Sequence, residues 1–255
     1  MLQLYNRPTS TCSQKVRLCL AEKSLEFVDL RVDNKTNQNL TPEYLKLNPN
    51  GVVPTLVHNG DVIVDSSVIC EYLDETFPGA SLSPADTVGR ARMRAWMRFA
   101  EEVPTMAIRV PSFHMIIAQR FKGMDEETFR RREADVRPLR KHFYRRMGPH
   151  GFSNDDVAAA LDELNLTLSR MESMLASGPW LLGTQFTLAD ILVIPTLDRM
   201  QDLGLATMWQ GRYAHVTAWW DRVRERLSYC KTYGPGSRLS EAAKSVRPLE
   251  IPLPC

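Results

Sequence analysis

Apolar and polar residues alternate twice near the start of the chain, in Leu2-Gln3-Leu4-Tyr5 and in Phe27-Val28-Asp29-Leu30-Arg31-Val32, the period of a strand with one buried face. Between them Val16, Leu18, Leu20 and Ala21 follow a helical pattern, so the stretch reads as a β-α-β unit. Further on, Pro54-Thr55-Leu56-Val57-His58 and Val62-Ile63-Val64 flank Asn59-Gly60, a strong hairpin signal. Ser66 to Phe77 predicts a helix, capped by Asp65 or Ser66 and stopped by Pro78-Gly79. Strands joined by a helix should run parallel and the Asn-Gly pair antiparallel, so the order β-α-β-α-β-β-α predicts a small mixed sheet.

From Thr87 to Leu227 the periodicity is helical and no strand stands out. The shift between Pro78-Gly79 and Asp86 marks a domain boundary. The expected organisation is an α/β domain over 1–79, an all-helical domain over 87–233 and a tail over 234–255. Within the second domain, most of the charge of Asp125 to Arg146 reads as a solvated helix face. Met147 to Gly151 breaks the chain, and Asn154-Asp155-Asp156 can cap a helix running to Leu175. The proline-rich end, Arg247 to Cys255, cannot be helical; it either packs across the body or is disordered.

Composition narrows the function classes. A chain of 255 residues that is 44% hydrophobic can fill one or two cores. Its 32 basic and 30 acidic residues nearly cancel, so no global field recruits nucleic acid or an anionic membrane, and a small, roughly neutral partner is expected. Met1 to Arg7 lacks the marks of an export signal, and no run of about 18 apolar residues could span a membrane. Cys12, Cys19, Cys70, Cys230 and Cys255 are too scattered for a disulfide framework or a zinc site. A cytoplasmic protein without a metal is the expectation.

Three clusters carry chemistry. Thr9-Ser10-Thr11-Cys12-Ser13 gathers hydroxyls and a thiol at a helix N-terminus, where unpaired N–H groups and the helix dipole favour a thiolate; plain N-capping competes with that reading. In Asn50-Gly51-Val52-Val53-Pro54 a proline opening a strand suits a cis bond, which would expose the Val53 backbone to a peptide ligand. Asp65-Ser66-Ser67 is either an N-cap or a nest for a carboxylate, with Asp65 ready to take an ammonium group.

Taken together, the frame Ser-x-Cys-Ser-x-x-Val-Arg, then Leu-Asn-Pro-x-Gly-x-Val-Pro-x-Leu, then Asp-Ser-x-x-Ile-x-Glu-Tyr-Leu resembles the glutathione-binding domain of the cytosolic glutathione transferases. Trp180-Leu-Leu-Gly183 followed by Thr187-Leu-Ala-Asp190 is similar to that family's helical-domain capping motif. The resemblance implies a thioredoxin-like domain followed by an all-α domain, with glutathione as co-substrate. It assigns the cysteinyl part of glutathione to Val53 beside a cis Pro54, and the γ-glutamyl end to Asp65 and Ser66. Gln38 and Asn39 fall where family members contact the glycyl carboxylate. Ser10-Thr11-Cys12-Ser13 is similar to the zeta-class motif, in which the first serine activates the thiol. Cys12-Ser13 is also similar to the beta-class pair, and Ser13 falls where the bacterial β-aryl etherases carry a serine.

Ser10, Thr11, Cys12 and Ser13 are therefore the catalytic candidates. Trp96, Phe99, Met106, Ile108 and Phe113 are candidates for a hydrophobic electrophile site, with ordinary helix core as the competing reading for each. The resemblance further implies a homodimer. Conjugation of glutathione to a hydrophobic electrophile leads, with β-aryl ether cleavage as a specialised form. A glutathione-dependent thiol oxidoreductase acting through Cys12 and a non-catalytic binding module are the alternatives.

Overall fold

The computed structural model describes residues 1–33, 35–243 and 246–254. Strands β1 (Leu2–Asn6), β2 (Val28–Arg31), β3 (Thr55–His58) and β4 (Asp61–Val64) form one sheet in the order β2-β1-β3-β4. Helix α1 (Thr11–Glu22) links β1 to β2, which pair in parallel; β1 with β3 and β3 with β4 are antiparallel. The hairpin register pairs His58 with Asp61 across Asn59 and Gly60, which sit at φ 52° and 101°, the positive angles a two-residue hairpin turn requires. Helix α2 (Pro42–Leu47) precedes β3, and α3 (Ser66–Thr76) follows β4 with Asp65 rather than Ser66 as its cap. The mixed sheet is the one the alternation predicts.

The remainder is helical: α4 (Thr87–Glu102), α5 (Pro104–Ala107), α6 (Arg109–Ser112), α7 (Glu126–Phe129), α8 (Lys141–Met147), α9 (Asn154–Leu175), α10 (Leu188–Asp202), α11 (Ala214–Arg224) and α12 (Leu227–Thr232). Between these lie π-helical turns at Phe113–Ile117 and Arg130–Ala134. The cap of α9 is Ser153, which exchanges hydrogen bonds with Asp156, so the Asn154-Asp155-Asp156 run stands inside the helix. Helix α10 is buried on every side from Leu188 to Met200 and packs against α1 and α4. The end of the chain packs across the body: Arg247 N–H donates to the Met115 carbonyl at 2.8 Å, Arg212 reaches the Pro254 carbonyl at 2.9 Å, and Leu249, Ile251 and Leu253 lie against the core. Cys255 lies outside the described residues.

The capping box at Thr187 and Asp190 is more than a local signal. One Asp190 oxygen accepts from Leu181 N–H (3.0 Å) and Trp219 Nε1–H (2.9 Å); the other accepts from Thr187 N–H (3.0 Å) and its hydroxyl (3.3 Å). Burial lifts the Asp190 carboxyl to about 6 against these bonds, which favour the ion. An asparagine offers one acceptor oxygen where two are used, so Asp190→Asn leaves buried donors facing an amide nitrogen. The expected cost is about 1–3 kcal/mol for each donor left unpaired. A urea melt reads it as a lower midpoint with unchanged slope; an unchanged midpoint would mean the network adds nothing.

Candidate active site

The loop Arg7 to Ser10 carries the chain from β1 to the N-terminus of α1. The register Thr55 to Val64 sets Asp65, at the start of α3, level with Pro54, so two helix N-termini converge on one edge of the sheet. The Val53-Pro54 bond is cis. Over that edge lies a cavity of about 780 Å³, walled on the sheet side by Thr9, Ser10, Thr11, Cys12 and Val53 and on the helical side by Ile108, Arg109, Phe113 and Arg140. Leu239, Ala242 and Ala243, from the C-terminal tail, contribute to the wall.

Ser10 caps α1, its Oγ accepting from Ser13 N–H at 3.3 Å. The bond uses a lone pair and leaves the hydroxyl proton free to be donated. Cys12, half-buried in the helix's first turn, receives an Arg109 N–H at 3.6 Å. Burial pushes the Cys12 thiol up, yet the charges of Lys15, Arg109 and Arg140 outweigh it, and the thiol lies below its usual range. Ser13 sits elsewhere: it is fully buried off the cavity wall, and its Oγ accepts from Arg7 N–H at 3.3 Å.

The sheet side places the other candidates unevenly. Tyr44 and Asn48 donate to the Val52 carbonyl at 2.7 and 2.9 Å, fixing the strand approach to Val53. Asn39 lines the cavity, tied to the Gly51 carbonyl through Nδ2 at 2.7 Å while its buried Oδ1 lacks a partner among the described residues. Gln38 is exposed and spends its side chain on Asp33 N–H at 2.8 Å. Asp65, at φ 73°, accepts from Ser67 N–H, Val68 N–H and the Ser67 hydroxyl through one oxygen. Pro54, Asp65 and the buried Ser66 stand at the same sheet edge without lining the cavity.

Of the five apolar candidates, Ile108 and Phe113 face the cavity. Trp96 and Phe99 do not, because α4 packs them into the helical domain, and Met106, on α5, turns to solvent. Trp96 Nε1–H donates to the Ala189 carbonyl at 3.1 Å, Phe99 lies beneath the Arg170 guanidinium, and Met106 is 43% exposed. Most of the charged stretch is exposed, as a solvated face should be, but Glu133, Arg137 and Arg140 turn into the cavity. Arg137 bonds Asn37 and pairs with Glu133, both at 3.0 Å.

A further group was not anticipated. Arg199 of α10, 5% exposed, donates to the Thr9 carbonyl at 2.6 Å and lies 3.5 Å from Asp202. The sequence signal for it is a cation among acids, Asp198-Arg199 and Asp202, in a helix whose other residues are mostly apolar, since a charge buried there must meet a partner.

Profiles of the glutathione S-transferase N-terminal and C-terminal domains match residues 9–76 and 131–226. Protein LigF of Sphingobium sp. strain SYK-6 is 30% identical over 234 residues, covering 88% of this chain and 90% of that protein. The chain belongs to the glutathione S-transferase family. Other relatives include glutathione S-transferase TCHQD of Arabidopsis thaliana, 28% identical over 244 residues (91% of this chain, 90% of the relative). The tetrachloro-p-hydroquinone reductive dehalogenase of Sphingobium chlorophenolicum is 28% identical over 238 residues (89% and 94%). The crystal structure of β-etherase LigF superposes with a TM-score of 0.81 at 29% identity, covering 91% of this chain and 98% of that one. The four-stranded sheet and helical bundle are thus the family fold.

The electrostatics of this family member predict a reactive Cys12. Alkylation by iodoacetamide, followed at the Cys12 peptide by mass spectrometry across pH, should show a midpoint below that of a free thiol, about 8.5. Arg109→Gln should move the midpoint upward. An unmoved midpoint would assign the lowering to other groups.

Proposed function

We propose that this cavity binds glutathione along the Val53 edge, lowers the pKa of its thiol at the N-terminus of α1, and directs the thiolate at an electrophilic carbon held against Ile108 and Phe113. As a family member the chain is a glutathione-dependent transferase. The observation that carries the reading is that Ser10, Thr11 and Cys12, at a capped helix N-terminus, line the same cavity as Val53. Asp65 and Ser66 take the γ-glutamyl end, the free oxygen of Asp65 meeting its ammonium group. Asn39, with its unpaired Oδ1, serves the glycyl side. Residues 1–79 act as the glutathione-binding domain, 87–233 as the domain shaping the second site, and 234–255 as a tail that walls it.

In the reaction the thiol first loses its proton to solvent, and Ser10 O–H donates to the sulfur anion while the helix N-terminus stabilises it. The anion then forms a C–S bond as the leaving group departs with the electron pair of its broken bond. Where the leaving group is an aryloxide, this is β-aryl ether cleavage, the narrower form suggested by the relative called a β-etherase.

A second reading has an observation of its own. The lowered Cys12 thiol suits exchange with a glutathione mixed disulfide. No helix among the described residues is long and apolar enough to cross a membrane, and a cytoplasmic homodimer is part of the proposal. Sedimentation at micromolar concentration should give the mass of two chains; the mass of one chain overturns the dimer.

Thiolate absorbance of bound glutathione, titrated against pH, tests the activating group. Ser10→Ala should raise the bound thiol's pKa by about one to two units and lower the neutral-pH rate accordingly. It also removes a cap worth about 1 kcal/mol, which a thermal melt reads separately. Loss of turnover in Cys12→Ala with a silent Ser10→Ala would establish the thiol-exchange reading instead.

A further inference from the structure

The cavity wall carries eight cationic side chains against one carboxylate, Glu133, and Glu133 is taken by Arg137. Arg199 is answered by Asp202. Arg109 and Arg140, both half-buried, have no carboxylate within 4 Å among the described residues. Burial, and then the charge of Arg109, bring the Arg140 guanidinium down to about 10. Arg7 on the same wall is also pulled down, by burial and then by the charge of the exposed Arg120.

Uncompensated cations in a half-buried wall destabilise the empty protein, since like charges repel more strongly as water is withdrawn. Ligand cavities are ordinarily mostly apolar with a few polar groups, and Ile108, Phe113, Ile116, Ile117 and Phe121 supply that apolar part here. Glutathione brings two carboxylates and one ammonium, a net charge of about minus one at neutral pH. That leaves most of the wall unanswered. Arg109 touches Cys12, in the first turn of α1 where the sulfur is to be held, so its charge falls on the side of the acceptor carbon.

We propose that the electrophile is itself an anion, an aromatic or other apolar body bearing a carboxylate, sulfonate or phenolate, and that Arg109 and Arg140 recognise its charged end. This rests on the glutathione-transfer reading and narrows its substrate class. The guanidinium fork matches a planar carboxylate, while the ring packs on Phe113 and Ile116. With a chlorinated ring, the glutathione sulfur forms the C–S bond, the C–Cl bond breaks, chloride leaves with the electron pair, and the thiol proton passes to solvent.

The test compares chlorodinitrobenzene with chlorodinitrobenzoate, which differ by the ring carboxylate, each corrected for its uncatalysed rate. The wild-type enzyme should prefer the carboxylate by at least about tenfold in kcat/KM, and Arg140→Gln or Arg109→Gln should reduce that ratio about tenfold, chiefly through KM. Arg145→Gln, whose guanidinium pairs with Asp135 away from the cavity, should leave the ratio unchanged. A wild-type ratio near one overturns the proposal. So does an Arg140→Gln variant that raises KM for glutathione without changing the ratio, because the cations then serve glutathione.

Calorimetric titration of unreactive nitrobenzoate and nitrobenzene into enzyme saturated with S-methylglutathione needs no turnover. Tighter binding of nitrobenzoate that weakens with salt and is lost in Arg140→Gln supports the anion site even where conjugation fails. Equal binding of the two overturns it.

Discussion

Arg199, on a helix buried on all sides, holds the Thr9 carbonyl at 2.6 Å, and Lys15, 1% exposed, reaches Glu101 at 2.7 Å and the Thr105 hydroxyl at 2.8 Å. These three bonds fix the start of α1 from the helical part of the chain, and the chemistry depends on where that start points. Buried ion pairs add little net stability, because desolvation offsets most of the attraction; removing one partner still costs about 3–5 kcal/mol. The effect is one of registry. The N–H groups of a helix's first turn attract an anion only if the turn is held open toward it. Here Val16, Leu18, Cys19 and Leu20 bury the body of α1 while Thr11 and Cys12 stay at the cavity wall.

The local field inside the cavity bears no relation to the charge of the whole chain. The formal net charge is only +2, and over the whole surface acids and bases do cancel. Cancellation says nothing about where each charge points. Glu22 is spent on Arg226 and Ser228, Asp74 on Lys23, and Asp156 on Arg146 and the cap of α9. With these acids drawn to pairs and caps away from the cavity, the cavity keeps Arg109 and Arg140 unanswered. A ligand is then attracted over a distance set by screening, about 8–10 Å in ordinary salt, and more strongly inside the wall than at its mouth.

How much of this is legible in the sequence follows from what periodicity can encode. The hairpin at Asn59-Gly60, the cap at Asp65 and the box at Thr187 and Asp190 are local, each fixed by residues two to four apart, and the structure forms them all. The cis bond before Pro54 and the gathering of Ser10, Thr11 and Cys12 at the cavity follow from a short frame read against a family. Which face of a helix meets a cavity is a tertiary fact. Trp96 and Phe99 fit a buried stripe as well as Ile108 and Phe113 do, and only the packing of α4 on α10 separates them. The charged stretch, most of it exposed as expected, hides its exceptions for a related reason. The π-helical turn at Arg130–Ala134 and the break at Pro138 destroy the 3.6-residue period, so Glu133, Arg137 and Arg140 turn inward from positions a regular helix would expose.

One consequence of the geometry bears on which thiol does the chemistry. A helix N-terminus and a nearby guanidinium stabilise any sulfur anion within reach, whether it belongs to Cys12 or to a bound thiol. The field alone cannot choose. Selection has to come from groups that treat the two sulfurs differently, and burial is the first of these, since it opposes the Cys12 anion most. The Ser10 hydroxyl is the second. Its oxygen is already engaged with Ser13 N–H, which directs its proton away from the helix. Cys12 is two residues further along α1, inside its first turn, so a proton directed outward from the cap meets a ligand sulfur more readily than the protein's own thiol. In the proposed mechanism, the same capping bond that starts the helix therefore biases the site toward transfer from bound glutathione.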